Sequence, residues 1–134
     1  MKKIILIVTI SLSILSCKKN ITTPNSGIFR GVFEMTGLNG GGFETGNCSL
    51  AMYEEVGRYA INVDTSETVP YASGGTYIIS DATKITFSSN TIPPLNSNPH
   101  IFLDSIYTYS FDDNVFELTK VIDTIKYEYR FFRY

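Results

Sequence analysis

The amino-acid sequence predicts an all-β fold, a single eight-stranded antiparallel barrel of the up-and-down kind. Three observations lead there. Apolar side chains recur with period two, and no stretch after the first fifteen residues carries a helical repeat. The alternation appears in eight separate runs, a number that suits a closed barrel. Most links between the runs are short and polar, which favours sequential neighbours over crossovers.

The first run, Ile28 to Thr36, sets Phe29, Gly31, Phe33 and Met35 against Ile28, Arg30, Val32 and Glu34. Cys48, Leu50 and Met52 form the second, and Tyr59, Ile61 and Val63 the third. Two shorter runs carry Tyr77 with Ile79 and Ile85 with Phe87. Tyr107, Tyr109 and Phe111 mark the sixth, and Phe116 with Leu118 the seventh. The eighth, Thr124 to Phe132, points Tyr127, Tyr129 and Phe131 one way and Lys126, Glu128 and Arg130 the other. Successive side chains of extended chain face opposite sides, so Phe131-Phe132 requires an outward ring or a bulge. Glu54 to Gly57, Ser80 to Ala82 and Asp112 to Asn114 are connectors of hairpin type. Gly37 to Gly42 and Asn90 to Leu103 are longer. The latter holds Pro93, Pro94 and Pro99, so it reads as a loop, with room for one helical turn at His100 to Asp104.

The chain divides into residues 1–16, 17–27 and 28–134. Lys2 and Lys3 precede an apolar run from Ile4 to Leu15, too short to span a bilayer and laid out as a secretory signal. The run ends in Ile14-Leu15-Ser16-Cys17, which resembles a bacterial lipobox. The resemblance implies cleavage before Cys17, a diacylglycerol on its sulfur and acylation of the new amine. Two or three chains would anchor the protein durably. Lys18 rather than an aspartate after the cysteine implies, by the same resemblance, the outer membrane of a bacterial envelope. An unlipidated signal peptide ending in a chance cysteine is the plainer alternative. Residues 18–27 lack periodicity, end in Pro24-Asn25-Ser26-Gly27 and form a tether. Just over a hundred residues remain, enough for one small domain.

Cleavage takes the formal charge from −2 to −4. A mildly acidic chain lacks the basic face that nucleic acid demands. With Cys17 lipidated, Cys48 has no partner in the monomer and reads as a buried thiol.

Gly75-Thr76-Tyr77-Ile78-Ile79, Lys84-Ile85-Thr86-Phe87, Tyr107 to Asp112 and Tyr127-Glu128-Tyr129-Arg130, in this order, resemble the small lipocalin-like lipoproteins of Bacteroidota-type bacteria. That resemblance implies a lipocalin/calycin-like barrel on a lipid anchor, with a small apolar ligand as its expected partner.

No catalytic constellation converges. Gly40-Gly41-Gly42 is followed by Phe43-Glu44-Thr45-Gly46, without the lysine and helix of a phosphate-binding loop. His100, the sole histidine, lies in the proline-rich loop with no nucleophile-elbow pattern to serve. Glu54-Glu55 and Asp112-Asp113 are adjacent carboxylates, which point apart in extended chain and suit turns better than a dyad or a calcium site. The expectation is therefore non-catalytic, with no metal and no cofactor.

The aromatic ladder carries the functional reading. Nine Phe, nine Tyr and no Trp supply it. Phe33, Tyr59, Tyr77, Phe87, Tyr107, Tyr109, Tyr127 and Tyr129 share the inward face as the candidate lining. A barrel of eight strands is either just filled by its side chains or holds one small ligand. A buried hydroxyl left without a partner costs about 1–3 kcal/mol, so inward tyrosines demand a polar network, water or an open mouth. Two functions follow: binding of a small apolar or amphipathic ligand in the mouth, or contact of a filled barrel with another envelope protein. Ile28, Val32, Ile78 and Phe132, apolar on the outward face, motivate the second.

Overall fold

The computed structural model describes residues 23–64, 69–112 and 114–134. The signal segment, Cys17 and Asp113 lie outside the described residues. Eight strands follow in chain order: β1 Gly27–Gly37, β2 Gly42–Tyr53, β3 Arg58–Val63, β4 Ser73–Ile79, β5 Lys84–Ser89, β6 Ser105–Asp112, β7 Val115–Ile122 and β8 Ile125–Arg133. Each pairs antiparallel with the next, and β8 returns to β1 from Phe29↔Arg133 to Gly37↔Ile125, closing the barrel. The all-β, up-and-down architecture is the one the alternation predicts. Closure leaves every strand with two partners and abolishes the exposed edge.

Two strands run longer than the hydrophobic pattern alone implies. β2 begins at Gly42 rather than Cys48, because β1 continues to Gly37 and its backbone groups take partners from the glycine-rich stretch: Phe33↔Gly46, Glu34↔Thr45 and Met35↔Glu44. β7 continues past Leu118 to Ile122 because β8 supplies a partner for each residue, Thr119↔Glu128 through Ile122↔Ile125. Phe131-Phe132 is resolved without a bulge. Phe131 is buried opposite Gly31, whereas Phe132 faces outward opposite Arg30.

Local chemistry shapes the connectors. Glu54–Val56 forms one 3₁₀ turn, ended by Gly57 at φ 58°, a left-handed conformation that glycine adopts without strain. Asp81 accepts from the Thr83 backbone N–H at 2.7 Å and from its hydroxyl at 3.0 Å, which folds the β4–β5 link and lowers the Asp81 pKa.

Alternating residues of all strands meet inside. Phe29, Phe33, Leu50, Ile85, Tyr107, Phe116, Leu118, Tyr129 and Phe131 are wholly inaccessible. Gly31 occupies an inward position between Phe29 and Phe33, and a Cβ there would collide with the Arg130 carbonyl. Glycine at this point lets β8 approach β1 closely enough to bend around the core.

The barrel has two unlike ends. At the near end the chain enters at Gly27 and leaves at Arg133. The far end carries the long connection between β5 and β6, residues 90–104. Within it Pro99–Ile101 makes a 3₁₀ turn, one residue earlier than the sequence predicts, with the Asn98 side chain accepting from the His100 N–H at 2.9 Å. Ile101, Phe102 and Leu103 then turn into the barrel and join its core.

Candidate functional site

All eight predicted lining residues face inward, but they touch one another. Six form a continuous chain of rings: Phe33 lies 4.8 Å from Tyr129, Tyr129 6.0 Å from Tyr107, Tyr107 5.9 Å from Phe87, and Phe87 4.9 and 6.1 Å from Tyr59 and Tyr77. Such spacings are those of packed aromatic cores. Tyr109 belongs instead to the near end, 6.1 Å from Phe116, where Phe29, Phe111 and Phe131 complete an all-phenylalanine cluster. Tyr127 stands at the far end with the His100 ring 5.9 Å away.

The hydroxyls divide the same way. Three phenols donate to three consecutive backbone carbonyls of the loop that enters the far end. Tyr129 reaches Ile101 at 3.3 Å, Tyr107 reaches Phe102 at 3.1 Å, and Tyr59 bonds Leu103. A loop segment without ladder partners has carbonyls to satisfy, and the inward tyrosines supply a donor to each of these three, the Asp104 N–H adding a second to Phe102 at 2.8 Å. Tyr71, on the β3–β4 link, adds a ring 4.8 Å from Phe102. Burial raises the pKa of Tyr107 and Tyr129 well above the ordinary phenol value. It also raises that of Tyr59, outweighing the Ser89 and Ser73 hydroxyls that favour its ionised form. All three therefore remain donors across the physiological range. Tyr109 makes a longer bond, 3.4 Å, to the Asp81 carbonyl. The Tyr77 hydroxyl is buried without a partner.

Lys120 is the residue that the sequence reading passes over. It stands in phase with Phe116 and Leu118 on β7, so it points inward, and it is only 7 % exposed. Its ammonium lies 4.7 Å from the centre of the Tyr107 ring and 5.4 Å from that of Tyr127, with no hydrogen-bond acceptor. Burial lowers its pKa to about 8, opposed by the Asp104 carboxylate. The signal was available: extending the alternation two residues beyond Leu118 brings Lys120 inside. A second signal was the apolar triplet Ile101-Phe102-Leu103 directly after Pro99, out of place in a solvated loop.

Cys48 is buried on β2, and desolvation pushes its thiol to about 12, far from the thiolate that attacks or binds metal. Among the described residues no group of three His, Cys, Asp or Glu side chains is placed to hold a metal ion. What the arrangement offers is ring surface, three phenol donors and one buried amine beneath a short loop. No protein-family model, curated protein or solved structure matches this chain.

Proposed function

We propose that this protein is a lipid-anchored bacterial envelope protein whose barrel binds a small apolar or amphipathic molecule at the far end, without catalysing a reaction. One observation carries the reading. The far end is covered by a loop tripeptide hung on Tyr59, Tyr107 and Tyr129, beside the strands' own Lys120 and Tyr127. A guest that displaces Ile101–Leu103 inherits a ring-lined space and three oriented donors, the mixture typical of small-molecule sites. The Phe33, Phe87 and Tyr77 rings would form the floor beneath it.

The tether supports an orientation. Arg133 donates to the Asn25 side chain at 2.6 Å and to the Ser26 carbonyl at 2.9 Å, and the Glu54 N–H donates to the Ser26 hydroxyl at 2.7 Å. Residues 25 and 26 are thus tied to the near end. Eight residues from a lipidated Cys17 to Asn25 reach at most about 28 Å. On this reading the near end faces the bilayer and the far end faces away from it, open to a diffusing ligand. Changing Cys17 to Ser is expected to move the protein from the membrane fraction to the soluble one. Native mass spectrometry of protein released in mild detergent is expected to show a carried small molecule. The bare chain mass in every preparation, with no uptake of apolar probes, would contradict binding.

A second reading, contact with another envelope protein, draws on the outside of the same loop. Ile92 and Leu95 flank Pro93-Pro94 at its tip and are 89 and 94 % exposed, the most exposed large apolar side chains described. Outward Ile28, Val32 and Phe132 gather on β1 and β8, while Ile78 lies on β4, three strands from β1 and four from β8. The four residues therefore make no single patch, and the loop tip is the better contact. Affinity capture from native membranes that Ile92→Ser with Leu95→Ser does not alter would exclude the tip.

A further inference from the structure

Lys120 is hard to explain as a structural residue. An ammonium removed from water is retained where it is paired or fully hydrogen-bonded. Here the Ile101, Phe102 and Leu103 carbonyls accept phenols, and Asp104 accepts the Ser89 backbone N–H at 3.0 Å rather than a lysine proton. The amine lies against the faces of Tyr107 and Tyr127, which attract a cation but offer it no lone-pair acceptor. The Lys120 ammonium, left without an acceptor, thus lies against Tyr107, whose phenol holds the Phe102 carbonyl of the loop.

We propose that Lys120 is the anion-binding residue of this mouth, and that the ligand is an apolar acid: a single oxyanion on an apolar body. The inference rests on the far end being a ligand site and adds the chemistry of the guest. When Ile101–Leu103 withdraws, the oxyanion meets Lys120 and the freed phenols of Tyr107 and Tyr129, while the body lies on the rings that Phe102 and Leu103 covered. The amine is charged at neutral pH, since burial lowers its pKa only to about 8. Asp104 and His100 are titratable side chains close to these rings. Asp104 helps keep the lysine protonated, and its own carboxylate is directed to the Ser89 backbone.

Two fluorescent probes that differ in one group separate the possibilities. Anilinonaphthalene sulfonate and its uncharged counterpart phenylnaphthylamine share an aromatic body, and only the first carries an oxyanion. The mature chain is expected to bind the sulfonate at least about tenfold more tightly, the factor a charge-assisted hydrogen bond supplies. Lys120→Met is expected to abolish that preference, bringing the two probes to similar affinity within the variant. Lys120→Gln serves as a second uncharged variant, with circular dichroism confirming that each barrel is folded. In the unaltered protein the Lys120 side-chain amine resonance is expected to shift with the sulfonate and stay still with the neutral probe. A preference that survives both variants, or a neutral probe bound as tightly as the sulfonate, overturns the anion assignment while ligand binding at the far end stands. If neither probe binds, the far end is not a ligand site, and this inference falls with it.

Discussion

The two ends of the barrel are built from the same alternation and finished differently. At the near end the strands close on their own side chains. Phe29, Phe111, Phe116 and Phe131 meet at centroid distances of 5.7–6.3 Å, and the Arg133 guanidinium covers Phe29 at 5.8 Å. At the far end the strands carry tyrosines and a lysine, and the stopper is a borrowed loop. Phenylalanine asks nothing of its neighbours but contact, so a phenylalanine cluster can be final. Tyrosine asks for an acceptor, and a backbone carbonyl on a loop gives one that a ligand can replace. Under the proposed function, the difference makes one end scaffold and the other a mouth.

The contrast predicts unequal responses to substitution. Phe29→Ala should cost about 3–5 kcal/mol in urea unfolding, because it empties the centre of the near-end cluster where strands cannot collapse. A loss near 1 kcal/mol there would make the near end as adaptable as the far one. Tyr107→Phe removes one of two donors to the Phe102 carbonyl, which keeps the Asp104 N–H at 2.8 Å, so the cost should be about 0.5–1.5 kcal/mol. Hydrogen exchange should show faster opening of residues 101–103 while near-end amides stay protected; uniform acceleration would mean the loop is part of the scaffold.

Lys120→Met should have the opposite sign. Replacing an unpaired buried ammonium by an apolar chain of similar volume is expected to stabilise the barrel by about 1–2 kcal/mol at pH 7. A destabilised variant would reveal an internal partner for the amine. The same group sets a pH dependence. With a folded pKa of about 8 against an ordinary 10.5, the unfolded chain holds the extra proton between those values, so stability rises with pH through that window. Cys48 acts in reverse above pH 9, where the unfolded thiol ionises and the folded one, held to about 12, does not. The clear interval is therefore pH 8–9, in which unfolding midpoints should climb for the natural chain and stay level for Lys120→Met. The smallest effect belongs to the tether. Arg133→Ala should cost under about 1 kcal/mol, as exposed polar contacts do, and should release residues 23–26 to exchange without touching the core.

Most of the strand framework was legible because alternation is a local property: each pair of neighbours along the chain reports which side is buried. That is why Phe29, Phe33 and Phe131 could be assigned inward from their spacing, and Phe132 outward. Strand ends were less legible, since a strand stops where its partner stops. Gly42 to Gly46 has no apolar pattern and is in β2 only because β1 needs it. Lys120 escaped for the same reason: β8 carries β7 beyond its last apolar residue.

By itself, then, the sequence determined the all-β class, the number of strands and the inward set of rings. Each is written in residue type and spacing over a few positions. The tertiary structure decided what those rings do. Whether a phenol points at a guest or at its own chain depends on Ile101–Leu103, some thirty residues from Tyr129 and over forty from Tyr59. No local pattern encodes that meeting, because it exists only once closure has brought the loop over the mouth.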